Sequence, residues 1–229
     1  MASAALIIRA CEPVVCCDTV WEQAYLRFES PEAERKKFRR RLQRLGAHSW
    51  LREARIVEIF CGRGNGLAAL AELGFHALEG VDLSLRLLSQ YEGDAKLYVA
   101  DCRQLPFPDA SRDLVIVQGG LHHLPCIPGD LAAVLAEVRR VLVPGGRFVI
   151  VEPWLTPFLR AVHALSRHPL VRRLSRKFAA LDTMIEREQE TYFNWLSMPD
   201  VILQALSGNF ATERRRIAWG KLEYVGICD

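Results

Sequence analysis

The residues best suited to chemistry lie in the run Val57-Glu58-Ile59-Phe60-Cys61-Gly62-Arg63-Gly64-Asn65-Gly66. An apolar stretch delivers the chain to a glycine-rich turn, and a helical pattern follows. Glycine lets backbone approach a ligand closely, and the first turn of a helix offers unpaired N–H groups. The chemistry is that of cradling a nucleotide-like ligand. Taken alone, the same turn suits a nucleotide-dependent oxidoreductase or a purely structural bend. Asp82, with Leu83 beside it, ends the next strand, where a carboxylate can take both hydroxyls of a ribose or cap the helix that starts at Ser84. Asp101-Cys102 closes a third strand and Gln118 a fourth. His122-His123 then follows, and Glu152 ends a fifth strand at the same rim. These three suit a general base or substrate contact, with His123 the first candidate; as a structural alternative they stabilise their turns.

Such residues meet only if strands and helices alternate. Arg55–Phe60, Ala77–Val81, Leu97–Ala100, Asp113–Gln118 and Arg147–Glu152 read as strands, with Asp113–Gln118, the most apolar, at the sheet centre. Leu67–Leu73, a segment from Ser84 and Leu131–Leu142 read as the helices between them. This rhythm predicts an α/β domain with a doubly wound, mostly parallel sheet. Residues 18–29 read as a short helix capped by Asp18, and Ser30-Pro31 opens a second that Gly46 ends. After Glu152 the rhythm breaks: residues 155–195 predict two or three helices forming a lid. Ser197–Ser207 is a further helix, capped by Ser197 and ended by Gly208. Thr212–Ala218 and Lys221–Ile227 make a hairpin around Trp219-Gly220.

At 229 residues with 50% hydrophobic and 25% charged side chains, the chain suits one well-packed domain. The net charge of +3 says little, but its distribution is uneven. Arg35–Arg44 is dominated by Arg and Lys, and Leu155–Leu181 has basic but no acidic residues. The first run reads as a solvated helix face over an apolar stripe of Phe38, Leu42 and Leu45. No apolar run is long enough for a membrane span, and the N-terminus lacks the form of a secretory signal. The seven cysteines show no CxxC or CxxH spacing, so neither a metal site nor a disulfide framework is expected, and a cytoplasmic location is.

In order and spacing, the glycine run, Asp82, Asp101-Cys102, Asp113–Gln118 with His122-His123, and Leu142-Val143-Pro144-Gly145-Gly146 resemble the class I S-adenosylmethionine-dependent methyltransferases. The likeness is to the small-molecule, ubiquinone/menaquinone-type branch and covers residues 50 to 153. It implies a Rossmann-like, seven-stranded sheet in the order 3-2-1-4-5-7-6 with the last strand antiparallel. The single domain then divides into an N-terminal helical segment (1–49), a cofactor core (50–153), a helical lid (154–196) and a closing helix and hairpin (197–229). S-adenosylmethionine is the implied cofactor and S-adenosylhomocysteine its product. Glu58 steadies the loop near the methionine moiety, Asp82 binds ribose, and Asp101 meets the adenine amino group beside the Cys102 N–H. The Gln118 backbone meets the methionine ammonium. Phe60 departs from the family pattern, which has glycine there.

A small-molecule acceptor, anionic or amphipathic, is expected under the basic, apolar lid, with transient membrane-surface contact as a further expectation. Nucleic acid is not expected as a partner, since Gln118-Gly119-Gly120-Leu121 lacks the motif of amino-methylating DNA enzymes. The oligomeric state, the accepting atom and a catalytically silent binding role stay open.

Overall fold

The computed structural model of the chain describes residues 6–12 and 19–229. Eight strands form one sheet: β1 Ile7–Arg9, β2 Ile56–Ile59, β3 Leu78–Asp82, β4 Lys96–Val99, β5 Arg112–Gln118, β6 Leu142–Pro153, β7 Ala211–Ala218 and β8 Lys221–Ile227. Their spatial order is β1-β4-β3-β2-β5-β6-β8-β7. Counted from β2, this is the expected order, with β8 antiparallel to both β6 and β7. The correction is one extra edge strand. Ile7–Arg9 runs parallel to β4, pairing Ile8 with Tyr98. Only three residues long and half exposed, it carries almost no periodic signal of its own.

Burial follows strand alternation. β2 is buried throughout, as are Leu114–Val117 of β5, so the two most apolar strands hold the centre. Val57, Ile59, Val115 and Val117 face one layer, while Ile56, Leu114 and Ile116 face the other. Each fully buried side chain of this kind contributes roughly 1.5–3 kcal/mol.

The helices are α1 Thr19–Phe28, α2 Pro31–Arg44, α3 Asn65–Glu72, α4 Leu85–Leu88, α5 Gly129–Val141, α6 Pro157–Arg167, α7 Pro169–Leu174, α8 Arg176–Arg187, α9 Gln189–Ser197 and α10 Pro199–Asn209. The Ser30 side chain accepts from the Ala33 N–H with Pro31 at the first turn, as expected for α2, and Gly46 follows at φ 105°. The cap expected at Asp18 lies outside the described residues. The lid has four helices (α6–α9) where two or three were expected, because the chain restarts at His168-Pro169, Ser175 and Glu188. Pro199, not Ser197, opens α10, and Gly208 lies within it. β6 begins at Leu142, before the Pro144-Gly145-Gly146 segment, which bulges out of register between Arg112 and Leu114 of β5. The final hairpin turns at Trp219 and Gly220, both in the left-handed region.

Candidate active site

The glycine loop leaves β2 through Phe60, whose φ of 55° lies in the region that glycine tolerates and other residues pay for by about 1–2 kcal/mol. Its ring packs against Gly120, where a Cβ would sit 2.4 Å from the Phe60 Cβ. The phenylalanine at a family glycine position is therefore matched by a glycine across from it. Gly62 (φ 53°) and Gly64 (φ 72°) continue the turn into α3. A Cβ on Gly64 would strike the Tyr91 ring, while one on Gly62 would enter open space.

Asp82 holds this loop. Its Oδ2 accepts from the Gly62 N–H and its Oδ1 from the Ser84 N–H, each at 2.8 Å. Burial raises its pKa above the usual carboxylate value, while the backbone donors oppose that rise. Loop clamp and helix-turn acceptor are thus its observed contacts, and only its remaining lone pairs can serve a ribose. Leu83 is half-buried beside it. Asp101 is likewise engaged: Arg103 bonds it through its backbone N–H and its guanidinium, which also reaches Asp130 at 2.7 Å. The Arg103 hydrogen bond holds Asp101 below the usual carboxylate range. Burial pushes the neighbouring Cys102 thiol up to about 12.

Beside the loop lies a chain of buried polar groups. Glu58 Oε1 accepts from Gln118 Nε2 at 3.2 Å, and Gln118 Oε1 accepts from Arg41 Nη1 at 3.3 Å. Glu58 fits because Gly66 has no side chain, since a Cβ there would lie 1.9 Å from Oε1. Its Oε2 is buried with no hydrogen-bond partner, and burial raises its pKa to about 8, which Gln118 moderates. Arg41 comes from α2, within the run expected to be solvated. Most of the run does keep an exposed face, with Lys37 paired to Glu29, Arg39 to Glu72 and Arg44 to Glu223, but Arg41 is buried. The clue was available in sequence, because Arg41 stands one position before Leu42 of the apolar stripe. From the same helix Glu34 accepts from Asn65 Nδ2 at 2.7 Å and from the Tyr25 hydroxyl. The N-terminal helices thus close directly over the glycine loop.

At the rim of β5 and β6, Glu152 is fully buried. Its Oε1 accepts from the Gly120 and Leu121 N–H groups, and its Oε2 lies 2.7 Å from His122 Nδ1. His122 is therefore the imidazole oriented by a carboxylate, while His123 lies beside it. Burial, and then His122, hold His123 well below the ordinary imidazole range. Glu188, between α8 and α9, was not foreseen, because no motif marks it. Its carboxylate lies 3.8 Å from His122 Nε2 and 3.8 Å from His123 Nδ1. Burial raises its pKa to about 7, with His122 opposing. Trp195, fully buried, donates to the Pro153 carbonyl at 2.8 Å and so fixes α9 against the end of β6. In the hairpin, burial lowers Lys221 to about 8, with Arg41 adding to the effect and Glu152 opposing it.

Glycine loop and strand order together define a Rossmann-like core. Residues 57–150 match the family described as a methyltransferase domain. The match is to the core segment of the sheet and not to the whole chain. The chain is 32% identical over 112 residues to a 27-O-demethylrifamycin SV methyltransferase of Amycolatopsis mediterranei, covering 45% of this chain and 40% of that one. It is 26% identical to a demethylmenaquinone methyltransferase of Renibacterium salmoninarum, over 74% and 76% of the two chains. It spans less than half the length of the first curated relatives it matches, at 40%, 44% and 45%. Among solved structures, a Pyrococcus horikoshii protein shares the fold at a TM-score of 0.68 and 18% identity, over 93% of this chain and 100% of that one. A methyltransferase from Aquifex aeolicus does so at 0.52 and 14%, over 90% and 93%. The residues present fit the cofactor: an amino acid ammonium suits the unpartnered Glu58 Oε2, and the open face of Gly62 admits a close ligand.

Proposed function

We propose that the protein transfers a methyl group from S-adenosylmethionine to a small-molecule acceptor, anionic or amphipathic, at O, N or C, releasing S-adenosylhomocysteine. When bound, the sulfonium supplies an already activated methyl group. Glu58 would receive the methionine ammonium, Arg41 its carboxylate, and Asp82 with Leu83, Asp101 and Cys102 the adenosine end. The observation that carries this reading is the buried Glu152–His122 pair, hinged to β5 through the Gly120 and Leu121 N–H groups just beyond Gln118. One strand end thus bears both the cofactor cradle and an oriented imidazole. With Nδ1 held by Glu152, His122 Nε2 can take the proton that an acceptor O–H or N–H loses.

The lid supports an amphipathic acceptor. Leu165, Leu170 and Leu174 are exposed beside basic residues, and Phe158 packs edge-on to the exposed Trp219. Arg172 is partly neutralised by Asp182 at 2.9 Å, leaving Arg173 to attract an anionic group or lipid surface for transient contact. Free thiols at Cys11, Cys61, Cys102, Cys126 and Cys228 support a cytoplasmic setting, and no helix among the described residues is long and apolar enough to cross a membrane. The test is turnover with S-adenosylmethionine and a panel of hydroxylated aromatic and quinone-type acceptors. We expect methylated product and stoichiometric S-adenosylhomocysteine, with His122→Gln lowering kcat by about 10²–10⁴ while cofactor affinity holds. Full turnover in His122→Gln would remove the imidazole from the reaction.

A further inference from the structure

Three ligand-bearing side chains, His122, His123 and Glu188, converge across the rim. Glu152 receives His122 Nδ1, which fixes the tautomer and turns the Nε2 lone pair towards Glu188. His123 Nδ1 approaches the other oxygen of the same carboxylate, and that oxygen, Oε1, is buried with no hydrogen-bond partner. One ligand atom from each of His122, His123 and Glu188 lies within 4.8 Å of the others. The two imidazoles sit side by side, with ring centroids 4.2 Å apart. Two imidazoles and a buried carboxylate this close together can share a proton or a bound cation.

We propose that His122, His123 and Glu188 form a site for one divalent transition-metal ion of the zinc class. Two imidazole nitrogens and one carboxylate are a ligand set such ions accept, and three protein ligands leave an open position. The Glu152–His122 hydrogen bond is the outer-sphere contact that orients a ligating histidine. Drawing the atoms in to ligand distances of about 2.0–2.2 Å needs only small side-chain adjustments, because Glu188 enters from the lid and the histidines from the β5 turn. The ion would tie the start of α9 to that turn and offer its open position to an acceptor oxygen. While it is bound, His122 Nε2 serves as ligand and not as base. The location as an acceptor site rests on the methyltransferase reading; the ligand set does not.

The experiment uses the full chain, stripped with a chelator and titrated with Zn²⁺ against a chromogenic competitor, then with Co²⁺. We expect one equivalent bound, with visible Co²⁺ d–d bands and no thiolate charge-transfer band. Glu188→Gln and His123→Gln should each weaken Zn²⁺ at least tenfold, whereas Cys126→Ser at an exposed thiol should not. Thermal melts confirm folding, and Glu188→Asp, which keeps the carboxylate, should recover part of the affinity. No stoichiometric binding, or binding unchanged in both folded variants, overturns the site. S-adenosylhomocysteine affinity measured on the same samples separates the two readings. Cofactor bound without metal overturns only this site, and metal bound without cofactor overturns the methyltransferase reading instead.

Discussion

Phe60 and Gly120 form a matched pair: a left-handed phenylalanine stands where the family has glycine, and its ring fills the space a Cβ on Gly120 would need. Gly120→Ala should therefore cost about 1–3 kcal/mol by overpacking. Phe60→Gly relieves the backbone but loses ring packing, for a net cost of similar size. Because the clash vanishes without the ring, Phe60→Gly/Gly120→Ala should be more stable than the sum of the two, by about 1 kcal/mol or more in a double-mutant cycle. Strict additivity in denaturant melts would contradict the pairing. Glu58 makes a second prediction. Its folded pKa, about 8, stands above the ordinary 4.5. The folded state thus favours the protonated form, and this contribution to stability, fully present below pH 4.5, is lost as pH rises through 8. Glu58→Gln should flatten that decline in the cofactor-free protein, by about 2–4 kcal/mol at the alkaline end. Identical pH profiles would show that the carboxylate is not buried as described. The glycines were legible in sequence because local turn chemistry carries them, and Glu58 only through the family resemblance. Glu188 was not, since its role depends on how the lid docks.

Among the elements, the β-α-β order, the hairpin and the capped α2 could be read from periodicity and turn residues. Two features could not. β1 is too short to show alternation, and it persists because β4 offers a parallel edge. The lid breaks into four helices where its residues alone suggested two or three. The larger surprise is α2, whose basic residues looked like a solvated face. Arg41 is instead buried against Gln118, and among the described residues no carboxylate forms an ion pair with it. A buried guanidinium with one long bond to an amide has donors to spare for a carboxylate. Arg41→Gln should weaken S-adenosylmethionine by about 1.5–3 kcal/mol. Arg39→Gln, breaking an exposed pair with Glu72 from the same helix, should change it little. Equal effects in calorimetry would place Arg41 outside the cofactor site.

For the molecule as a whole, the central claim is that the carboxyl ends of β2, β3, β4 and β5 hold S-adenosylmethionine. Ligands of open α/β sheets bind at that edge, where the order reverses between β2 and β5. The acids expected at the adenosine end, Asp82 and Asp101, are already engaged by the loop and by Arg103. The unspent binding capacity lies at the methionine end, in Glu58 Oε2 and Arg41. A nicotinamide dinucleotide carries no amino acid group to use it. The most direct test is calorimetric titration of the full chain with S-adenosylhomocysteine, S-adenosylmethionine, adenosine and NAD. One-site binding of the first two, at least tenfold tighter than adenosine and with no measurable NAD binding, is the predicted result. Equal affinity for adenosine and S-adenosylhomocysteine, or preference for NAD, would contradict the assignment.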